Sequence, residues 1–274
     1  MKTMILSALC LFTSVRWCNA QQAAGAQQQQ KTIRVMSYNI RIASPPSTNW
    51  GGTDLAAIAK VINANKPDLV ALQEVDAFTE RSGKSSDQAK ELGEMTGMHY
   101  FFAKAVDRSG GDYGVAVLSR YPIEESHAYR LPPVPGSEGE VRGLAFIVVK
   151  PFGNKQKVGF LCTHLDHKSD DDRRFQAQKV LEISEKYKKL PIILGADLNM
   201  EASNKVMEVI KSKYFMNCTD CPLTFPETNP RMTIDYLLTN KVAAKRFKVE
   251  NYRTIEEKYA SDHLPLMADF IAVK

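Results

Sequence analysis

Six short polar motifs sit at the ends of apolar runs in this 274-residue chain: Ser37-Tyr38-Asn39, Leu72-Gln73-Glu74, Thr163-His164-Leu165-Asp166, Gly195-Ala196-Asp197-Leu198-Asn199, Ile234-Asp235-Tyr236 and Ser261-Asp262-His263. Singly, such tips are common. Together they hold oxygen donors for a hard divalent cation, carboxylates able to orient or deprotonate water, and imidazoles able to meet a phosphate or pass a proton. Metal-assisted phosphoester hydrolysis needs those functions: charge neutralisation, an activated water and a stabilised leaving oxygen. Asp197 and Asn199 alternate across Leu198, a spacing that predicts both on one side of a strand end. Arg142, near Glu140 after a Pro-rich loop, could grip phosphate bidentately or form a surface salt bridge. Asp166 and His167 read either as support for such a site or as the loop before a helix.

These tips need elements to position them. Strands are read at Ile33–Ile40, Leu69–Gln73, Tyr100–Ala105, Val115–Ser119, Gly143–Val149, Lys157–Thr163, Ile192–Gly195, Ile234–Leu238, Phe247–Tyr252 and Leu264–Ala272. Arg120-Tyr121-Pro122 between Tyr113–Ser119 and Ile123–Tyr129 reads as a hairpin turn, and Gly110-Gly111-Asp112 before Tyr113-Gly114 as another turn. Leu55, Ile58, Ala59 and Ile62 make one helical face. Ser85 with Gln88 resembles a capping box, and Gly97 a helix stop. Ser169 followed by Asp170–Asp172 opens a helix to about Tyr187, its acids at the positive end of the macrodipole. Strands interleaved with helices give an α/β class with sheets that are not purely parallel.

The ordered set from about Arg34 to Phe270 resembles the endonuclease/exonuclease/phosphatase family, the DNase I-like superfamily. The resemblance implies a four-layer α/β sandwich, two packed mixed β-sheets with helices on the outside. It also implies roles. Glu74 would be the principal metal ligand, with Asn39 assisting and Asp262 a further ligand. Asp197 would orient or deprotonate water and Asn199 would position phosphate or water. His263 would meet the scissile phosphate or transfer a proton, Asp235 would fix its tautomer, and His164 would stabilise a non-bridging oxygen. The implied cofactor is Mg2+, with Mn2+ able to substitute. The alternative is a catalytically inactive module of the same fold that binds phosphorylated ligands.

Lys2, the apolar stretch Met4–Phe12 and Cys18-Asn19-Ala20 read as a secretory signal (residues 1–20) cleaved after Ala20, followed by a Gln-rich linker (21–30) and a domain over 31–274. A lipoprotein anchored at Cys18 is the alternative, against which Arg16 and Trp17 stand where small residues are expected. The expected location is exported, periplasmic or secreted, with no transmembrane anchor in the mature chain. Loss of Lys2 and Arg16 with the leader would bring the formal +5 to +3. Long Lys/Arg runs are absent, so a strong nonspecific grip on nucleic acid is not expected. Cys162 reads as a buried small residue. Cys218 and Cys221 lack the second pair or nearby His of a zinc site, leaving a local disulfide or a redox pair. The partner expected is a phosphoester substrate, a nucleic acid or a phospholipid or inositol headgroup, and no stable protein partner is implied. Short loops without a Trp-rich wedge disfavour a membrane-inserting sphingomyelinase.

Overall fold

The computed structural model describes residues 31–153 and 156–273. The expected signal and Gln-rich linker lie outside the described residues. The first six-stranded sheet contains β1 (Thr32–Asn39), β2 (Leu69–Ala77), β3 (His99–Arg108), β4 (Gly111–Ser119), β11 (Phe247–Thr254) and β12 (Leu266–Ala272), in the order β11-β12-β1-β2-β4-β3. The second contains β5 (Glu125–Leu131), β6 (Arg142–Val149), β7 (Val158–His164), β8 (Ile192–Asp197), β9 (Tyr214–Met216) and β10 (Asp235–Asn240), in the order β5-β6-β7-β8-β10-β9. The helices are α1 (Leu55–Asn65), α2 (Gln88–Thr96), α3 (Asp170–Glu185), α4 (Met207–Lys211) and α5 (Lys241–Arg246).

Alternation along the strands builds three cores. In β1, Ile33 and Val35 face the second sheet, while Met36 and Tyr38 face the layer of α1 and α2. In β8, Ile193 faces the first sheet, while Ile192, Leu194 and Ala196 face the layer of α3 and α4. Because both faces of these strands are covered, their sequences read as continuous apolar runs. The result is the four-layer α/β sandwich expected.

Each sheet has one parallel pair at its centre, β1 with β2 and β7 with β8. Strands β12 and β10 run antiparallel beside them. The C-terminal tips of the parallel pairs and the N-terminal starts of β12 and β10 therefore lie at one end of the sandwich. Gly195 permits the sheets to close just behind that end: a Cβ there would lie 2.6 Å from the Ala71 Cβ.

Several local expectations are corrected. The segment before β5 is not a hairpin with β4. It crosses from the first sheet to the second, because Arg120 is tied back through its amide to the Asp68 carbonyl and through Nε to the Pro67 carbonyl. The hairpin in this region joins β3 and β4 around Ser109-Gly110, and Tyr113 lies within β4. Asp87, not Ser85, caps α2 by accepting from the Lys90 amide. Gln88 instead accepts from the Asp76 amide and donates to the Ile42 carbonyl. Gly97 does stop α2 in the left-handed region, and Ser169 does cap α3.

Candidate active site

All six tips converge. The centre is the Asn39 amide: Nδ2 donates to Glu74 Oε1 at 3.1 Å and to Asp197 Oδ2 at 3.0 Å, joining a residue of the first sheet to one of the second. Around Asp197 Oδ2 stand His164 Nε2 at 3.5 Å and His263 Nε2 at 3.8 Å. Asp235, the ladder partner of Asp197, receives His263 Nδ1 on Oδ2 at 2.9 Å. That contact fixes which imidazole nitrogen turns to the cleft. Phe225 packs on the His263 ring, with centroids 4.8 Å apart.

The electrostatics follow from this crowding. Burial and the neighbouring Asp235 push Asp197 up to about 7. Burial alone would depress His263, but the carboxylates of Asp235, Asp197 and Asp262 raise it to about 10. His164 is held well below its ordinary value by burial and by Arg142, so its ring is neutral. Glu74 and Asp262 are each raised, first by burial, and the Asp262 charge adds to the shift of Glu74. A buried carboxylate raised further by a second carboxylate marks a place where a cation is favoured.

Asp197, Asp235 and His263 present ligand atoms within 4.8 Å of one another, a grouping able to hold a metal ion. Asp235 already engages His263 Nδ1, however, which suits these three to handling protons. Glu74 and Asp262 with Asn39 offer the oxygen-only donors preferred by a hard dication. Glu74 is half-buried and its one hydrogen bond is to Asn39; no described basic side chain forms an ion pair with it.

Two backbone details differ from the simple strand-tip reading. Glu74 does not end its strand. It sits in a bulge between Leu72 and Val75 with φ 55°, and β2 runs on to Ala77. The bulge re-aims the carboxylate beyond the end of β1. Asn199 is not two strand residues from Asp197. It lies in a left-handed turn with φ 51°, its amide donating to Asp197 Oδ1 at 2.9 Å. Asn199 Nδ2 donates to His164 Nε2 at 2.8 Å and to the Leu165 carbonyl at 3.0 Å.

Arg142 is 3% exposed, so its ion pair with Glu140, NH1 to Oε2 at 3.6 Å, is largely buried and not a surface salt bridge. Its NH2 lies 3.0 Å from His167 Nδ1 and its NH1 3.5 Å from His164 Nδ1, with Glu140 beside it. Asp166 is buried and accepts the amides of Lys168, Ser169 and Glu140, so it shapes the loop before α3. Cys218 and Cys221 form a disulfide, and Cys162 is a buried free thiol between the sheets.

Sequence reasoning missed Arg41. Its amide donates to Asn39 Oδ1 at 3.0 Å and its Nε lies 3.2 Å from Asp262 Oδ2. The only signal was a basic residue two positions after Asn39. It also missed Arg81 and Arg108, whose guanidiniums lie over the Tyr113 ring at 5.3 and 5.8 Å.

The sequence profile of the endonuclease/exonuclease/phosphatase family matches residues 36–263, the span that carries all six tips. The chain belongs to this family. Among curated proteins it is similar to the uncharacterized protein YbhP of Escherichia coli, 24% identical over 89% of this chain and 98% of that one. Among solved structures it is similar to an endonuclease/exonuclease/phosphatase family protein of Bacteroides thetaiotaomicron, with TM-score 0.72 and 19% identity over 90% of this chain and all of that one. It is also similar to the mannosyl-6-phosphatase of the same organism, with TM-score 0.70 and 20% identity over 87% of this chain and 99% of that one. The family is one of phosphoester hydrolases, and the acids and imidazoles gathered here fit that chemistry.

Proposed function

We propose that this chain is an exported, magnesium-dependent phosphodiesterase in which manganese can replace magnesium. The observation that carries the reading is the Asn39 amide, which ties the acid of the first sheet to the acid of the second over a single cleft. Asn39, Glu74 and Asp262 would hold the cation, whose bound charge would neutralise the phosphate and the leaving oxygen. Asp197, lifted to about 7, holds a proton weakly near neutrality and can take one from an attacking water. Protonated His263, steadied by Asp235, presents Nε2–H to a phosphate oxygen. Asn199 and neutral His164 line the same edge, and buried Arg142 supplies the positive field behind His164.

The substrate is a phosphoester of nucleic-acid or phospholipid/inositol-headgroup type. The likeness to a mannosyl-6-phosphatase adds a sugar phosphomonoester to the panel. The exported location rests on Lys2, Met4–Phe12 and the small residues Cys18 and Ala20, and an intact-mass measurement of the mature protein would give a chain starting at Gln21. Among the described residues no helix is long and apolar enough to cross a membrane.

The test is hydrolysis of bis-nitrophenyl phosphate by the purified protein with Mg2+, Mn2+ or chelator. Turnover that needs the cation and is lost in Glu74→Gln supports the reading. Turnover indifferent to chelation overturns it.

A further inference from the structure

The eleven residues after Asn39 take a costly path. Arg41, Ile42 and Ala43 are three consecutive non-glycine residues in the left-handed region, with φ 49°, 50° and 55°, and Asn49 and Trp50 follow at 47° and 66°. Ile42 is β-branched, for which this region is a true outlier. Such backbone persists where surrounding contacts over-determine it. Here the contacts converge on Arg41. Besides Asn39 and Asp262, it meets the Ser44 carbonyl through NH1 at 2.7 Å, and its Cζ lies 3.6 Å from the centre of the Trp50 ring. Arg41 is 8% exposed, whereas Trp50 is 54% exposed. One face of the indole therefore rests on a guanidinium that touches Asp262, and the loop leaves much of the ring to solvent.

We propose that Trp50 is a base-stacking residue that selects nucleotide phosphodiesters, holding the nucleobase next to the scissile phosphate. The proposal rests on the phosphodiesterase reading above and narrows its substrate. An indole that is one guanidinium away from Asp262 is within the span of a nucleoside whose phosphate occupies the acidic cleft. The charge beneath it draws π density from the outer face. That weakens the attraction for the C–H face of a sugar and favours an electron-rich heteroaromatic ring such as a purine. The loop around Trp50 is Ser47, Thr48, Asn49, Gly51 and Gly52, polar or small, which suits a stacked base better than an acyl chain. Base stacking on an aromatic side chain is sequence-tolerant, since every base has a π face.

Two measurements test it. First, kcat/KM is compared for a diadenosine phosphodiester and for its analogue lacking one base. The native protein should favour the complete dinucleotide, and Trp50→Leu should lower that preference about tenfold, through KM. An unchanged preference, or failure to cleave the dinucleotide while bis-nitrophenyl phosphate is cleaved, overturns the proposal. Second, in the protein starting at Gln21, from which Trp17 has been removed with the leader, Trp50 is the one remaining indole of two. Its fluorescence should be quenched saturably by AMP and not by ribose 5-phosphate. Equal response to both, or to neither, overturns the proposal. Chelator-sensitive hydrolysis of bis-nitrophenyl phosphate reports on the parent reading alone, so the two fail separately.

Discussion

In the second sheet, Asp197 and Asp235 face each other across a regular antiparallel ladder and are each 1% exposed. In the first sheet, Glu74 leaves through a bulge, Asp262 lies in the loop before β12, and both remain partly open to solvent. The ladder holds its acids dry and rigid, so burial and the neighbouring Asp235 raise the proton affinity of Asp197. The bulge and loop hold theirs within reach of water, where a hydrated cation can exchange. His263 comes from the first sheet's chain but is bonded by the second sheet's Asp235. On the proposed reading the two halves divide the work into cation holding and proton handling, and the Asn39 amide and His263 join them.

The division is broken most directly in the second sheet. Asp197→Asn should lower kcat by about a thousandfold, in the range expected for a proton-transfer group, while cation affinity measured by calorimetry changes far less. Equal loss of both would erase the distinction. In the first sheet, Glu74→Gln should weaken cation binding and cut activity at subsaturating Mg2+ by at least about a hundredfold. Excess Mn2+ should restore part of that activity, and no response to added cation would remove Glu74 from the ligand set.

The joint between the sheets is tested at Gly195. Its alanine variant must fit a methyl group 2.6 Å from the Ala71 Cβ, and should cost about 1–3 kcal/mol of stability. Chemical denaturation reads that cost, and an unshifted midpoint would mean that the sheets can part without strain. The most gradual effect is that of pH on the cation-free protein. His263 rises from 6.5 to about 10 on folding, so its contribution is complete below about 6.5 and is lost as pH climbs through 10. Asp197, raised from 3.8 to about 7, acts in the same direction at lower pH. Thermal melts in chelator should therefore show stability falling by about 1 kcal/mol per pH unit above neutrality, with a flatter profile in His263→Asn. A rise with pH would contradict the pairing of His263 with Asp235.

The six tips were legible because each adjoins an apolar run covered on both faces, Ile234-Asp235 and Ser261-Asp262-His263 before theirs and the rest after, so the strand and its polar end are both written locally. Which tips meet was not written there. Asn39 and Asp197 are joined across the sheets by closeness that Gly195 permits. The bulge at Glu74 and the left-handed turn at Arg41–Ala43 use residues with no preference for positive φ, so composition gave no warning of either. Arg120-Tyr121-Pro122 carries the chemistry of a tight turn, and only the remote carbonyls of Pro67 and Asp68 turn it into a crossing. Asp87 won the helix cap because Gln88 was drawn away to Asp76 and Ile42.

The strand directions have a practical corollary. The connection from β4 to β5 and the turn after Val149 leave from the pole opposite the cleft. A carrier, dye or solid support attached at that pole would stand a full sheet length away from Asn39. Protein immobilised there should keep its mouth open to long polymeric substrates, which makes that pole, and not the rim of the cleft, the side to engineer for attachment.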